Sequence, residues 1–387
     1  MKTDPSLPTP PVPDESTGLL AALHARIAAE MQQAGGWLGF DRFMALALYA
    51  PGMGYYANNL RKFGLTPESG SDFATAPEMS KHFGRTLAHQ VAEALQVTGT
   101  DEVWEFGAGS GALALQLLDS LGDSVKRYTI VDLSGSLRER QQETLKAHAH
   151  KVQWIDALPD QLSGVVVGNE VLDAMPVQLL VRKGGVWHER GVVWHADAAA
   201  SSPLQWEDRV TDLRPPMDVP GEHDYLTEIH SQAESFVATL ADRFKAGEAA
   251  TGQGSAAFLI DYGFPESEYF HPQRSMGTLM CHQLHKSDSD PLVDVGRKDI
   301  TAHVNFTGVA LAAQDAGLHV LGYTTQAHFL INCGLLPPLV DAPLDEKSMA
   351  QKLITEHEMG ELFKVIALGT TEWEPMGLAQ GDRTYAL

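Results

Sequence analysis

Four short apolar runs, residues 102–106, 127–131, 152–155 and 164–168, alternate with helix-patterned stretches at 112–121 and 136–149. No other feature of the chain restricts its fold as much. Strand and helix alternating at this spacing build βαβ units with right-handed crossovers, hence a mostly parallel α/β sheet with helices on both faces. Such sheets bind ligands beyond the carboxyl ends of their strands. The first strand here runs directly into Gly107-Ala108-Gly109-Ser110-Gly111 and then into a helix. Glycines at that point permit positive φ and let a ligand approach the backbone, while the free N–H groups of the helix start face it.

The spacing is G-x-G-x-G, not the G-x-G-x-x-G of dinucleotide sites, and Glu105 just before it would repel a pyrophosphate. That carboxylate suits the cationic amino-acid end of S-adenosylmethionine. Asp132 ends the next strand, where an acid can accept bonds from both ribose hydroxyls. The two acids predict an adenosine-bearing cofactor without phosphate, S-adenosylmethionine, held by Glu105, Gly107, Ala108, Gly109, Gly111, Asp132 and the adjoining Leu133. Asp156, after the third strand, is placed to reach the adenine amino group. The alternatives are a solvated strand-end charge for Glu105, an N-cap for Asp132 and an ordinary loop acid for Asp156.

The fourth strand leads into Asn169-Glu170-Val171-Leu172-Asp173 at the same sheet edge. Methyl transfer is an in-line displacement at an already activated carbon, so an enzyme supplies chiefly positioning and electrostatics. A guanidinium acceptor suits fork-shaped recognition by acids. Glu170 and Asp173 are three apart, which would put them on one side of a helical turn, and Asn169 is counted for both cofactor and acceptor. Asp261, closing a strand at 256–260, adds an acid to this edge, and His285 is a candidate proton acceptor or substrate contact. Helix caps for Asn169 and Asp173, a solvated Glu170 and a simple turn at Asp261 are the alternatives. His282, His285 and His303 match no metal-ligand spacing, so no metal site is expected.

A chain of 387 residues exceeds the roughly 250 to 300 that one core usually serves, so a catalytic fold with additions is expected. The divisions read as a disordered Pro-rich tail (1–17), an N-terminal helical and cofactor-covering region (18–100), a Rossmann-like core (101–176), an insertion before the fifth strand (177–254) and the remaining catalytic fold with substrate-side elements (255–387). Helical spacing marks 40–48 and 79–95. Within the insertion, runs at 177–181 and 185–194 predict a hairpin, 196–221 a loop, and 227–245 a helix. The large additions could hold a homodimer.

With 28 Lys plus Arg against 50 Asp plus Glu, the formal net charge is -22. Nucleic-acid phosphates demand a basic surface, so that partner is excluded, and a cationic protein segment is favoured unless the acidity serves only solubility. Cys281 and Cys333 are too few for a disulfide framework, which points to a reducing compartment. No apolar run approaches the roughly 20 residues of a membrane span, and none is expected to enter a bilayer. The start of the chain lacks the Arg of a transit peptide and the apolar core of a signal peptide. The expectation is a bacterial cytoplasmic protein, or a mitochondrial matrix protein only if a transit peptide is missing upstream.

From about Leu38 onward the sequence resembles the MidA-type methyltransferases, the family that includes the mitochondrial complex I assembly-factor arginine methyltransferase. The strings that carry the resemblance are Tyr49-x-Pro-x-x-Gly-Tyr-Tyr56, Ser71-Asp72-Phe73-Ala-Thr75-Ala-Pro77-Glu78, Phe83-Gly84, the Glu105 to Gly111 turn, Asn169-Glu170-Val-Leu-Asp173, Asp261-Tyr262-Gly263, Gly277-Thr278-Leu-x-Cys281 and Asp299-Ile-Thr301-x-His303. The resemblance implies a class I Rossmann-like fold and methylation of a partner protein that presents an Arg side chain. It also implies that Asp72, Phe73 and Thr75 lie over the cofactor. Ser71 stands where the family usually has Gly, and Asp132 replaces the commoner Glu, keeping a ribose contact with a shorter reach. An assembly factor that binds the cofactor without turnover, and a small-molecule methyltransferase, are the competing readings.

Overall fold

The computed structural model describes residues 15–58, 75–132, 135–195 and 202–387. Most of the Pro-rich tail, together with Asp72, Phe73 and Leu133, lies outside the described residues. The expected alternation is present as seven strands: β1 Glu102–Phe106, β2 Arg127–Val131, β3 Val152–Ile155, β4 Gly164–Asn169, β5 Ser255–Phe264, β6 His319–Thr325 and β7 Phe363–Gly369. They lie in the order β6-β7-β5-β4-β1-β2-β3. Only β7 runs antiparallel to its neighbours. The chain moves outward from β1 to β3 and returns to β4 on the other side of β1. The strand order therefore reverses between β1 and β4, where an open α/β sheet forms its ligand crevice.

Period-two alternation divides the strand residues between two cores. Val103, Val165 and Val167 face helices Lys81–Thr98 and Ala112–Leu121, whereas Trp104, Phe106 and Val166 face helices Ser231–Thr251 and Phe306–Asp315. Covered on both sides, these strands are near-continuous apolar runs rather than alternating ones. Each fully buried side chain such as Phe258 or Leu259 contributes roughly 1.5 to 3 kcal/mol.

The insertion folds as an antiparallel sheet in which Gln178–Lys183 and Val186–Trp194 pair as the expected hairpin. Its turn uses Gly184 and Gly185, at φ 53 and 79, the left-handed values a two-residue turn of this kind demands. Trp37–Gly39, Leu204–Val210 and Tyr225–Ile229 complete the sheet. It packs on helices Glu15–Gln33 and Phe40–Tyr49 around Ile27, Phe40, Phe43, Leu179 and Val192.

Two segments differ from what the sequence predicts. The helix placed at 227 begins at Ser231, and the residues before it form a strand, because pairing with Gln178–Lys183 decides the state of a short apolar segment. The region read as loop contains Leu204–Val210, paired along its length with Val186–Trp194. Helix Ser231–Thr251 returns to the main sheet and forms the crossover between β4 and β5. A small sheet of Met280–Gln283, Lys286–Asp288 and Asp299–Thr301, not foreseen from sequence, stands above the carboxyl edge of the main one. Among the described residues no helix is long and apolar enough to cross a membrane.

Candidate active site

A cavity of about 400 Å³ opens beyond β1 and β4, at the point where the strand order reverses. Its floor is the glycine turn. Gly107, Gly109 and Gly111 have φ of 63, 53 and 85, and a Cβ on Gly107 would come within 2.7 Å of Val171 Cγ1. Gly107, Ala108, Gly109 and Thr75 line the cavity, and Gly111 instead caps helix Ala112–Leu121. Glu105, buried at the end of β1, accepts a 2.6 Å hydrogen bond from the Tyr128 hydroxyl. Burial pushes its carboxyl up to about 8, the Tyr128 bond opposing the rise.

Asp132 does not line the cavity. Its carboxylate accepts from Gln141 Nε2 at 2.8 Å, and the same amide donates to the Gly109 carbonyl at 3.1 Å, tying Asp132 to the glycine turn. Asp156 is exposed at the end of β3, away from the wall. Ser110 Oγ donates to the Glu78 carboxylate and Gln116 Nε2 donates to the Pro77 carbonyl at 2.8 Å, which fixes the rim to the turn.

Asn169, Glu170 and Asp173 all reach the cavity, but not from a helical turn. Glu170 has φ 55, left-handed backbone that breaks any helix at its start. Its carboxylate accepts from Asn169 Nδ2 at 2.9 Å and from the Ala76 N–H. Burial, then the Asp173 charge, pushes the Glu170 carboxyl up to about 8. Asp173 is pushed up to about 6 by burial, with the Tyr262 hydroxyl bond opposing. Asn169 Oδ1 is buried without a hydrogen-bond partner among the described residues.

Asp261, expected on the acceptor side, lies behind this turn. Its Oδ2 accepts the backbone N–H groups of Val171, Leu172 and Asp173 at 3.1, 2.8 and 3.2 Å, and Oδ1 accepts that of Tyr262 at 2.9 Å. Both oxygens are used in bracing the chain, so none is offered to a ligand. His285 is also displaced from its expected place. It is at the exposed tip of the Met280–Gln283 and Lys286–Asp288 hairpin, φ 57, while His282 and His303 line the cavity. His303 stacks on Phe264 with centroids 5.3 Å apart, and burial followed by the Arg274 charge lowers it to about 4, so its imidazole is neutral near pH 7.

Tyr56 and Asp299, absent from the sequence reading of the site, face the same space, joined by a 2.8 Å hydrogen bond from the Tyr56 hydroxyl to Asp299 Oδ2. Both fall in strings that carried the family resemblance, which was the only available signal for them. Glu78, Glu105, Glu170, Asp173 and Asp299 thus surround a space in which no described lining residue is Lys or Arg. Carboxyls raised by burial mark a cavity short of positive charge. A cationic amino-acid end, a sulfonium and a guanidinium would each fit it, and the glycine turn gives an adenosine cofactor the close backbone approach it needs. Among the described residues no group of three or more His, Cys, Asp or Glu is arranged to hold a metal ion.

A family model described as "putative S-adenosyl-L-methionine-dependent methyltransferase" matches residues 86–324. The chain is 26% identical over 365 residues to a Caenorhabditis elegans protein arginine methyltransferase NDUFAF7 homolog, mitochondrial, covering 84% of this chain and 81% of that one. It is 26% identical to the Drosophila melanogaster NDUFAF7 homolog over 411 residues, with 94% and 89% covered. A crystal structure of a Burkholderia thailandensis protein bound to S-adenosyl-homocysteine is 46% identical, with a TM-score of 0.89, covering 99% of this chain and 100% of that one.

Proposed function

The chain belongs to the MidA-type family of S-adenosylmethionine-dependent methyltransferases, and from that premise we propose that it methylates an arginine side chain of a partner protein. The observation that carries this reading is the cavity itself, where acids converge beside the glycine turn and burial holds Glu170 and Asp173 above the ordinary carboxylate range. A guanidinium presents donors in a planar fork, and two carboxylates on one turn are complementary to it. The names of the Caenorhabditis elegans and Drosophila melanogaster relatives support the same acceptor.

S-adenosylmethionine, when bound, supplies a methyl carbon already activated by its sulfonium. Glu105 and Asn169 are assigned to its amino-acid end, with Asp132 bracing the turn and Thr75 at the rim. Residues 101–176 serve as the cofactor core. Glu170 and Asp173 orient the acceptor nitrogen, and proximity of this kind is where the rate enhancement originates. The nitrogen that gains a methyl group releases a proton, and Glu170 receives it. A bound cation favours the ionised carboxylates, so the acid raised in the empty cavity becomes a base once the guanidinium enters.

Mass spectrometry of a proteome with and without this chain tests the assignment. Arginine peptides that lose a methyl group in its absence are expected. Their absence, with loss of methylation at another residue type or on a small molecule, would reject arginine as the acceptor.

A further inference from the structure

We propose that Glu228 and Tyr269, outside the cavity, are positioning residues that fix its acceptor-side wall. The proposal rests on the reading that Met280, His282 and His303 face the acceptor. Glu228 belongs to strand Tyr225–Ile229 of the antiparallel sheet and is fully buried. Its Oε1 accepts the backbone N–H groups of Thr278 and Leu279 at 2.7 and 3.1 Å, and its Oε2 accepts the Tyr269 hydroxyl at 2.8 Å. A carboxylate buried among three neutral donors is costly to leave unmatched, so this geometry is strongly specified.

The phenol oxygen of Tyr269 is shared further. Thr278 Oγ1 and His230 Nε2 each lie 3.0 Å from it. His230 Nδ1 is buried without a partner among the described residues, which places the ring proton on Nε2 and makes Tyr269 the acceptor. Thr278 Oγ1 accepts the backbone N–H of His303 at 3.1 Å. One buried carboxylate thereby holds both the segment that leads into Met280 and His282 and the start of the segment that carries His303. The fit is close, since a Cβ on Gly277 would come within 2.5 Å of Glu228 Oε1. The antiparallel sheet touches the chemistry through this network, without lining the cavity.

The test uses the full chain with Glu228→Ala, Glu228→Gln and Tyr269→Phe. Binding of S-adenosylhomocysteine is read by calorimetry, methyl transfer to protein by steady-state kinetics, and local order by amide hydrogen exchange. In Glu228→Ala we expect faster exchange at 278–279 and 299–304, unchanged exchange in β1, and a kcat/KM for the acceptor lower by about ten- to hundredfold, since small misplacements carry large rate costs. Glu228→Gln, whose amide oxygen can still accept both backbone N–H groups, should recover most of that loss. Tyr269→Phe should fall between them. Unchanged kinetics in Glu228→Ala despite faster exchange would overturn the proposal. So would loss of S-adenosylhomocysteine binding in step with activity, which would indicate a general structural role. If Tyr269→Phe folds and matches the parent in exchange and kinetics, the pair is likewise rejected. Failure of the parent protein to methylate any protein would refute the arginine reading, and the exchange pattern, with methylation of whatever acceptor replaces it, would still judge the pair.

Discussion

Glu170 combines left-handed backbone with a carboxyl raised to about 8 from its ordinary 4.5, burial being the main cause and Asp173 the next. The folded protein therefore holds this proton more tightly than the unfolded chain does. Stability is full below the unfolded value and falls as pH rises towards about 8. Glu170→Gln removes that titration. Thermal unfolding without ligand should show little change at about pH 5 and a midpoint a few degrees higher at about pH 8, equivalent to about 3 to 4 kcal/mol. The same variant should lose most methyl transfer while still binding cofactor. At the turn, Gly107→Val sets a side chain against Val171 in positive-φ backbone and should weaken S-adenosylmethionine binding by about a hundredfold or more, measured by calorimetry. Glu105, Gly107, Gly109, Asn169, Glu170 and Asp173 were legible in the sequence because each sits at or just beyond the end of a recognisable strand. Tyr56 and Asp299 were not, since 243 residues separate them and only the folded chain joins them.

At the scale of elements, β1, β4 and β5 were readable because both faces are covered and their apolar runs are nearly continuous, whereas the partly exposed β2 and β3 were readable from their alternation with helices. The Gln178–Lys183 and Val186–Trp194 hairpin was readable from its two apolar runs, although its turn falls at Gly184 and Gly185 rather than at residues 182–184. The small sheet was not, because its strands of three or four residues hold too little periodicity, and Lys286–Asp288 is exposed throughout. Only this small sheet separates exposed His285, at its tip, from His282 and His303, which line the cavity. Strand and turn also meet at Asp261, which the sequence placed just past a strand end but which lies within β5, its carboxylate receiving four backbone N–H groups. Asp261→Ala leaves those donors without their acceptor and should cost about 3 kcal/mol or more in thermal unfolding, with acceptor turnover lost even where the fold persists. A variant as stable and active as the parent would show that the turn needs no such brace.

The whole molecule carries a formal net charge of -22, and the cavity wall repeats that imbalance at close range. A cationic protein acceptor should be drawn to such a surface, and salt should weaken the attraction. Raising ionic strength from about 0.05 to 0.5 M should raise the acceptor KM several-fold and leave cofactor affinity nearly unchanged, because the screening length shortens well below surface separations. A KM indifferent to salt would argue for recognition through apolar contacts. On the proposed function, this acid-lined cavity, loaded with S-adenosylmethionine, places a methyl group on a guanidinium held by Glu170 and Asp173. The most direct test of that function is incubation of the purified protein and Glu170→Gln with methyl-labelled S-adenosylmethionine and extract from cells lacking the chain, followed by complete hydrolysis and amino-acid analysis. Label in methylarginine from the parent protein, and almost none from the variant, is the predicted result. Label in another amino acid, or equal labelling by both proteins, would contradict it.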